Sequence, residues 1–422
     1  MARHKIITGL DIGTDTIKIL AACKNPKNED FKVLFFDKIN SFGLQKGRVI
    51  NPQEVTNKIS SLISKLQKTY NQRIDSAFIN VNGSKLQIVP NHGLISVSPA
   101  NQKVCQEDID RILQETQNIN LPSNREILDI FPKEWILDGE REIKDPLALQ
   151  GVRLEVEASL LSAFSPDLEN LTEAVTEAGL QVEDIIPSSL AASSAVLSPY
   201  QKELGVALLD IGAATCGLAV FEEGVFLDLS VFPVGSANIT NDIAIGLRTE
   251  IDIAEKIKKD IGSCISLSQG SKKKKVEINP SNFLSSFKKE EVGKEESKKP
   301  FLTFSEKQLR KIIEARVGEI FELVQKELKK ISRQGLLPAG IVLTGGGAKL
   351  PGIVEMAKRE LKLPCKLGYP RNFSGLEKDC SLATVCGLVL EGQDVSQKSL
   401  SFGLDSRGLG AKIKRIFRIF IP

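Results

Sequence analysis

Two short stretches carry the residue types that handle phosphate. "LDIGTDTIKIL" runs from Leu10 to Leu20, and "LLDIGAATCGLAVF" from Leu208 to Phe221. Each places an aspartate after an apolar run, then a glycine, a threonine-bearing turn and a second apolar run. A glycine turn between strands points backbone N–H groups into a cavity, where phosphate oxygens accept them. Thr14 and Thr215 would add hydroxyl donors. Asp11 and Asp210 cannot sit on phosphate, because like charges repel, but each can hold Mg2+ through its waters. A single hairpin of this kind is most simply an Asx-stabilised turn. Two copies, one in each half of the chain, favour a shared phosphate site. A third stretch, "TGGGAKLPGI" from Thr344, puts Gly345, Gly346 and Gly347 after a buried strand. Three glycines let a bulky ligand approach the backbone, and the N-terminus of a following helix would add a favourable dipole. This stretch is neither a P-loop nor a GxGxxG fingerprint, and a tight strand–helix turn explains it nearly as well on its own.

The surrounding elements alternate between strand and helix, which indicates an α/β layer architecture. "KIITGL", "TIKILAA", "FKVLFFDKI" and "DSAFINVNG" read as strands. "NPQEVTNKISSLISKLQKTY" is helical, with Val55, Ile59, Leu62, Ile63 and Leu66 on one face. From Ser84 to about Ser162 short strands surround one helix, and this stretch holds Trp135, so it reads as an inserted α+β subdomain. "SPDLENLTEAVTEAGL" reads as a helix ending at Gly179, and "VEDIIPSSLAASSAVLS" as a second helix. Two more helices meet near Arg248, a long amphipathic helix follows Ser305, and "CSLATVCGLVLEG" is a last apolar helix. Residues 268–300 are lysine-dense and poor in apolar residues, which predicts a solvated loop or hairpin.

The boundaries follow from these shifts in texture. A first core domain spans 1–83 and 163–200, with 380–392 returning to it, and the insert is 84–162. A second core domain spans 201–236 and 301–379, with its own subdomain at 237–300. A polar linker at 393–408 precedes a terminal segment at 409–422.

Composition excludes several classes. A chain of 422 residues implies two to four domains. With 56 basic against 53 acidic residues, no bulk charge favours nucleic acid. The seven cysteines form no CxxC, and His4 and His92 have no partner motif, so neither a metal cluster nor histidine acid–base chemistry is expected. The cysteines read as reduced thiols of a cytosol. No apolar run approaches the roughly 20 residues that span a bilayer, and the opening residues read as strand rather than signal peptide.

The three glycine stretches, in this order, resemble the actin superfamily: two phosphate hairpins, an adenosine turn, and connecting helices at "PSSLAASSAVL" and "SLATVCGLVL". Within it the chain resembles the FtsA family of bacterial cell-division proteins. "FPVGSANITNDIAIGLRTEIDIAEKIKKDIG" and "EWILDGEREIKDPLALQGVRLEVEASLLSA" carry that likeness, which covers residues 5–390. The resemblance implies an actin-like ATPase fold, with two related α/β domains around a nucleotide cleft, an inserted subdomain and a C-terminal amphipathic helix. It implies ATP with Mg2+ in that cleft. Asp11, Gly13, Thr14, Asp15 and Thr16 would line the first phosphate loop, with Lys18 reaching a phosphate. Asp210, Gly212, Ala213, Ala214 and Thr215 would line the second. Gly345, Gly346, Gly347 and Lys349 would face adenosine, and Glu255, Lys258 and Lys259 would hold ribose and base, unless they form a solvated helix face.

The chain also departs from the pattern. Relatives usually read Asp-x-Gly-Gly-Gly-Thr in the second hairpin, with an aspartate two residues later. Here Ala213 and Ala214 replace glycines and Gly217 stands at the later position. The alanines are expected to narrow the phosphate path or demand a particular backbone angle. Hydrolysing relatives place Glu or Gln at the first connecting helix to orient water, whereas "IIPSSL" offers only Pro and Ser. The expectation is nucleotide binding with slow or absent hydrolysis.

In the terminal segment, Leu409, Ile413, Ile416, Phe417 and Phe420 share one helical face. Lys414, Arg415 and Arg418 lie opposite, and Lys412 flanks them. Such a helix suits the surface of an anionic membrane. The resemblance implies the same role, on the cytoplasmic face of the inner membrane at the division site. It further implies an adaptor that forms filaments with itself, docks the FtsZ C-terminal tail around Asn241–Ile261, and recruits later divisome proteins. An actively hydrolysing actin-fold ATPase and a PilM-like pilus-assembly adaptor remain as alternatives.

Overall fold

The computed structural model describes residues 6–25, 30–70, 73–98, 102–265, 275–278 and 302–402. Two sheets share one plan. The first orders its strands Gln181–Pro187, Ser76–Val81, Ile6–Ile12, Thr16–Lys24 and Phe31–Asn40, with Phe373–Ser374 added at the edge. The second orders Cys365–Leu367, Ile341–Thr344, Val206–Ile211, Cys216–Glu222 and Val225–Phe232. In each, the first three strands in sequence run antiparallel to one another, and two later strands add in parallel on the other side. The central strand of the second sheet is buried throughout, which is why "VALLDI" is an almost unbroken apolar run.

Two helices pass between the sheets, Ser188–Val196 and Ala383–Phe402. Their small residues permit a close crossing: a Cβ at Gly387 would lie 1.7 Å from the Ala191 carbonyl oxygen. One apolar core runs from the first sheet through these helices to one face of the second, at Leu208, Ala219 and Phe221. The opposite face, with Leu209, Leu218 and Leu343, packs against Ser236–Leu247, Ile251–Ile261, Glu306–Lys330 and Ile353–Leu361. The insert has a core of its own. Its four strands, ordered Gln87–Ser96, Arg153–Phe164, Arg125–Leu137 and Glu140–Ile143, bury Trp135 beneath the helix Gln106–Gln117.

Several expectations change. "VEDIIPSSLAASSAVLS" is not one helix, because Gln181–Pro187 is a strand parallel to Ser76–Val81 and helix starts only at Ser188. Its β-branched Val182, Ile185 and Ile186 suit a sheet, and Pro187 ends it where no further N–H is needed. "LQIVP" and "GLISVS" belong to one strand, Gln87–Ser96. The glycine run does not lead straight into a helix. It coils into a short 3-10 turn at Gly346–Lys349, and the helix waits until Ile353, after Gly352 at φ 78°. The helix dipole therefore does not act at the glycines. The last apolar helix continues to Phe402, inside the segment read as linker. From the lysine-dense stretch, Lys275–Ile278 pairs antiparallel with Leu302–Ser305, which lies just after it. The rest of 268–300, and the terminal segment with Leu409, Lys412, Ile413, Lys414, Arg415, Ile416, Phe417, Arg418 and Phe420, lies outside the described residues.

Candidate functional site: a cleft between two matched hairpins

The two Asp-Ile-Gly turns superpose in their chemistry. The Gly13 N–H donates to the Thr16 carbonyl at 3.1 Å, and the Gly212 N–H to the Thr215 carbonyl at 2.9 Å. A Cβ on either glycine would meet that carbonyl oxygen at 2.8 Å, so both turns require glycine. Among the described residues, the N–H groups of Thr14, Asp15, Ala213 and Ala214 find no protein acceptor, so both turns present donors outward.

The turns face one cleft of about 510 Å3 between the halves. It is lined by Asp11, Gly13, Thr14, Asp15, Thr16 and Lys18 from the first hairpin and by Asp210, Gly212, Ala213 and Thr215 from the second. Gly345, Gly346, Gly347 and Lys349 line it as well, with Glu255, Lys258 and Lys259. Ala214 is not among the lining residues; its neighbour Ala213 takes the position that faces in. Neither alanine adopts a positive φ, so the expectation of a special backbone angle does not hold.

Charge is concentrated at the floor. Lys18 Nζ lies 2.6 Å from Asp11 Oδ2. Burial pulls the Lys18 ammonium down, but the charge and hydrogen bond of Asp11, with Asp210 behind it, outweigh burial and leave it above its usual value. Asp210 is pushed up to about 6, first by burial and then by the nearby charge of Asp11, against the opposing pull of Lys18 and the Thr384 hydroxyl. Two buried carboxylates facing one lysine form a site short of positive charge. That shortage suits a hydrated divalent cation between Asp11 and Asp210.

The glycine run forms the facing wall. Gly345, at φ 86°, leaves room for the Asp210 carboxylate, which a Cβ there would approach to 2.3 Å. Gly347 packs on Ile211, whereas a Cβ on Gly346 would meet nothing within 4 Å. Gly346 is therefore the open point of the wall, where a flat base could approach. Lys349 Nζ pairs with Asp379 at 2.6 Å. On the third side, Lys258 is buried rather than solvated and donates to Thr240 Oγ1 at 2.8 Å and to the Ser236 carbonyl at 3.1 Å. It also pairs with Glu255, whose carboxyl falls below its usual value because its hydrogen bonds and the lysine charge outweigh burial.

Sequence reasoning missed several lining residues, Asn80, Asn82, Ser188 and Thr384 among them. Asn80 Oδ1 accepts the Ile12 N–H at 2.6 Å, and its Nδ2 donates to Asp11 Oδ1 at 3.0 Å and Ser188 Oγ at 2.9 Å. A lone polar residue inside the apolar strand "AFINV" was the available signal. Asn82, Ser188 and Thr384 come from elements far apart in the chain and carried no local signal.

Two related α/β halves, each offering a phosphate-type hairpin to a shared cleft, define the actin-like ATPase fold. Solved structures of low identity agree on the fold. A PilM–PilN type IV pilus biogenesis complex aligns with TM-score 0.60 at 17% identity, covering 92% of this chain and 98% of that one. MreB5 of Spiroplasma citri bound to ADP aligns with TM-score 0.55 at 13% identity, covering 94% and 99%.

Sequence comparison is narrower. The family model "Cell division protein FtsA" matches residues 207–387, and "SHS2 domain inserted in FTSA" matches 83–162. The chain is 33% identical to cell division protein FtsA of Bacillus subtilis (strain 168) over 389 residues, covering 92% of this chain and 84% of the relative. It is 31% identical to FtsA of Pseudomonas aeruginosa over 403 residues, covering 95% and 92%. The chain belongs to the FtsA family of cell-division proteins.

Proposed function

We infer that this chain is a nucleotide-binding adaptor of the division machinery, which forms filaments and joins FtsZ to the membrane. The observation that carries the nucleotide part is the pair of matched hairpins opening on one cleft, with Asp11 and Asp210 buried at its floor and Lys18 partly buried against Asp11. The free N–H groups of the turns fit phosphate oxygens, the two carboxylates sharing one lysine fit Mg2+ held through water, and the gap at Gly346 fits an adenine face. Mg2+ would neutralise phosphate charge there. ATP then acts as a ligand that favours the closed arrangement of the halves. Neither Ser188 nor Ser189, which open the first connecting helix, is a carboxylate or carboxamide that would orient an attacking water. Binding without rapid turnover follows.

The membrane and FtsZ parts rest on family membership and on two features. The segment 409–422 has the amphipathic, basic pattern of an interfacial helix. The helices Ser236–Leu247 and Ile251–Ile261 expose Ile245, Ile251 and Ile261. Beside them, Lys307, Gln308 and Lys311 line a depression with Gly246 that suits a short peptide bearing apolar and acidic groups. Among the described residues, no helix is long and apolar enough to cross a membrane.

Vesicle flotation tests the tether. FtsZ should float with anionic vesicles when the full chain is present, and should remain at the bottom with a 1–402 truncation. FtsZ that fails to float with the full chain overturns the tether. Rapid Mg2+-dependent phosphate release in steady state would favour an active ATPase instead.

A further inference from the structure

One hydrogen bond crosses the phosphate end of the cleft. Asn82 Nδ2 donates to Thr215 Oγ1 at 2.8 Å, joining the loop after Ser76–Val81 in the first half to the second hairpin. The loop is wedged in place. A Cβ on Gly47, at φ 75°, would lie 1.5 Å from the Asn82 carbonyl oxygen. The Gly47 N–H in turn donates to Thr14 Oγ1 at 3.2 Å. Thr14, Gly47, Asn82 and Thr215 therefore form a continuous chain from one hairpin to the other.

A carboxamide carries two N–H donors. One can hold Thr215 while the other turns to an anionic oxygen between the hairpins. Asn80, the other carboxamide lining the cleft, is spent on Ile12, Asp11 and Ser188. We propose that Asn82 contacts the outermost phosphate of a bound nucleotide and sets the preference for triphosphate over diphosphate, while bridging the two halves through Thr215. Resting on the nucleotide reading above, this adds the residue that senses the last phosphate. A diphosphate leaves Asn82 on Thr215 alone; a triphosphate adds a charge-assisted contact that only the closed cleft can make.

The test is equilibrium binding of fluorescent ATP and ADP analogues, with Mg2+, to the full chain and to Asn82→Ala and Asn82→Asp. Thermal melting of each variant monitors folding. Asn82→Ala should cut the ATP-over-ADP preference about tenfold, the size of one hydrogen bond to a charged oxygen. Asn82→Asp keeps the shape but repels phosphate, and should weaken ATP more than ADP by a larger factor. A preference within twofold of the native value in both variants overturns the proposal and leaves nucleotide binding intact. If the native chain binds neither analogue, the nucleotide reading itself fails.

Discussion

Gly217 stands opposite Asp210 in the second hairpin at the position that Lys18 holds opposite Asp11 in the first. The two hairpins thus differ at one pairing that decides their charge. In the first, a lysine ammonium neutralises the aspartate. In the second, the matching residue has no side chain, and Asp210 is left to burial and to its neighbour Asp11. The reason lies in packing: a Cβ on Gly217 would meet the Ser189 Cβ at 3.0 Å, at the start of the first connecting helix.

That contact makes Gly217→Ala a measurable overpacking. The helix start must give by a few tenths of an ångström, which typically costs about 1–3 kcal/mol. Denaturant unfolding should register the loss. A change below about 0.5 kcal/mol would show that Ser189 yields freely.

Asp210 makes the cleft sensitive to acid. Its folded-state pKa, about 6, lies above the ordinary carboxylate value. The sign follows from linkage: protonation at this site stabilises the folded chain fully below about pH 4, and that contribution is lost as pH rises through about 6. At pH 8 the nucleotide-free Asp210→Asn variant should therefore be more stable than the native chain, by on the order of 3 kcal/mol. The gap should close as pH falls below about 4. Nucleotide affinity with Mg2+ should move the other way, declining below pH 6 in the native chain as the carboxylate is neutralised. Calorimetric melting across pH, with and without Mg-ATP, checks both. A variant no more stable than native at pH 8 would contradict the assignment.

The hairpins were legible in sequence because their chemistry is local: aspartate, glycine and threonine lie within six positions of one another. The matched order of the two sheets follows from the same repetition. What was not legible came from distant pairings or from propagation. Asn82 meets Thr215 across 133 positions, and nothing in "VNGSK" marks a turn that spans a cleft. The strand at Gln181–Pro187 was hidden because a helical run follows it directly, with only Pro187 as a boundary. The closing helix outran its apolar stretch because an anchored helix extends cheaply through polar residues once its first turns are packed.

The glycine wall separates structural from binding glycines. Gly345 has φ 86° and abuts the Asp210 carboxylate, so Gly345→Ala should destabilise the fold by more than about 1 kcal/mol. Gly346 is open and exposed, and Gly346→Ala should change stability by less than about 0.5 kcal/mol. The same change places a methyl group on the cleft wall and should weaken adenine nucleotide binding severalfold. Unfolding curves and nucleotide titration of the two variants separate these effects. Undiminished binding by Gly346→Ala would remove the base from this wall.

The crossing of the two connecting helices sets the distance between the halves, and Gly387 sets the crossing. A Cβ there would lie 1.7 Å from the Ala191 carbonyl oxygen and 2.2 Å from its carbonyl carbon. Backbone atoms cannot swing aside as a flexible side chain would, so the helices must separate. In an exposed helix, Gly→Ala is favourable by about 1 kcal/mol; here the clash reverses the sign, and a net loss above about 3 kcal/mol is expected, beyond the usual range for overpacking. The effect should reach the cleft, because Ser188 and Thr384 sit at the N-terminal ends of these helices and line it. At the roughly 2 °C or more per kcal/mol found for large domains, Gly387→Ala should therefore lower the melting temperature by about 6 °C or more. In whatever folded protein remains, it should weaken nucleotide binding as well. Full stability in Gly387→Ala would mean that the helices cross with more room than the structure gives them, and that the spacing of the halves is set elsewhere.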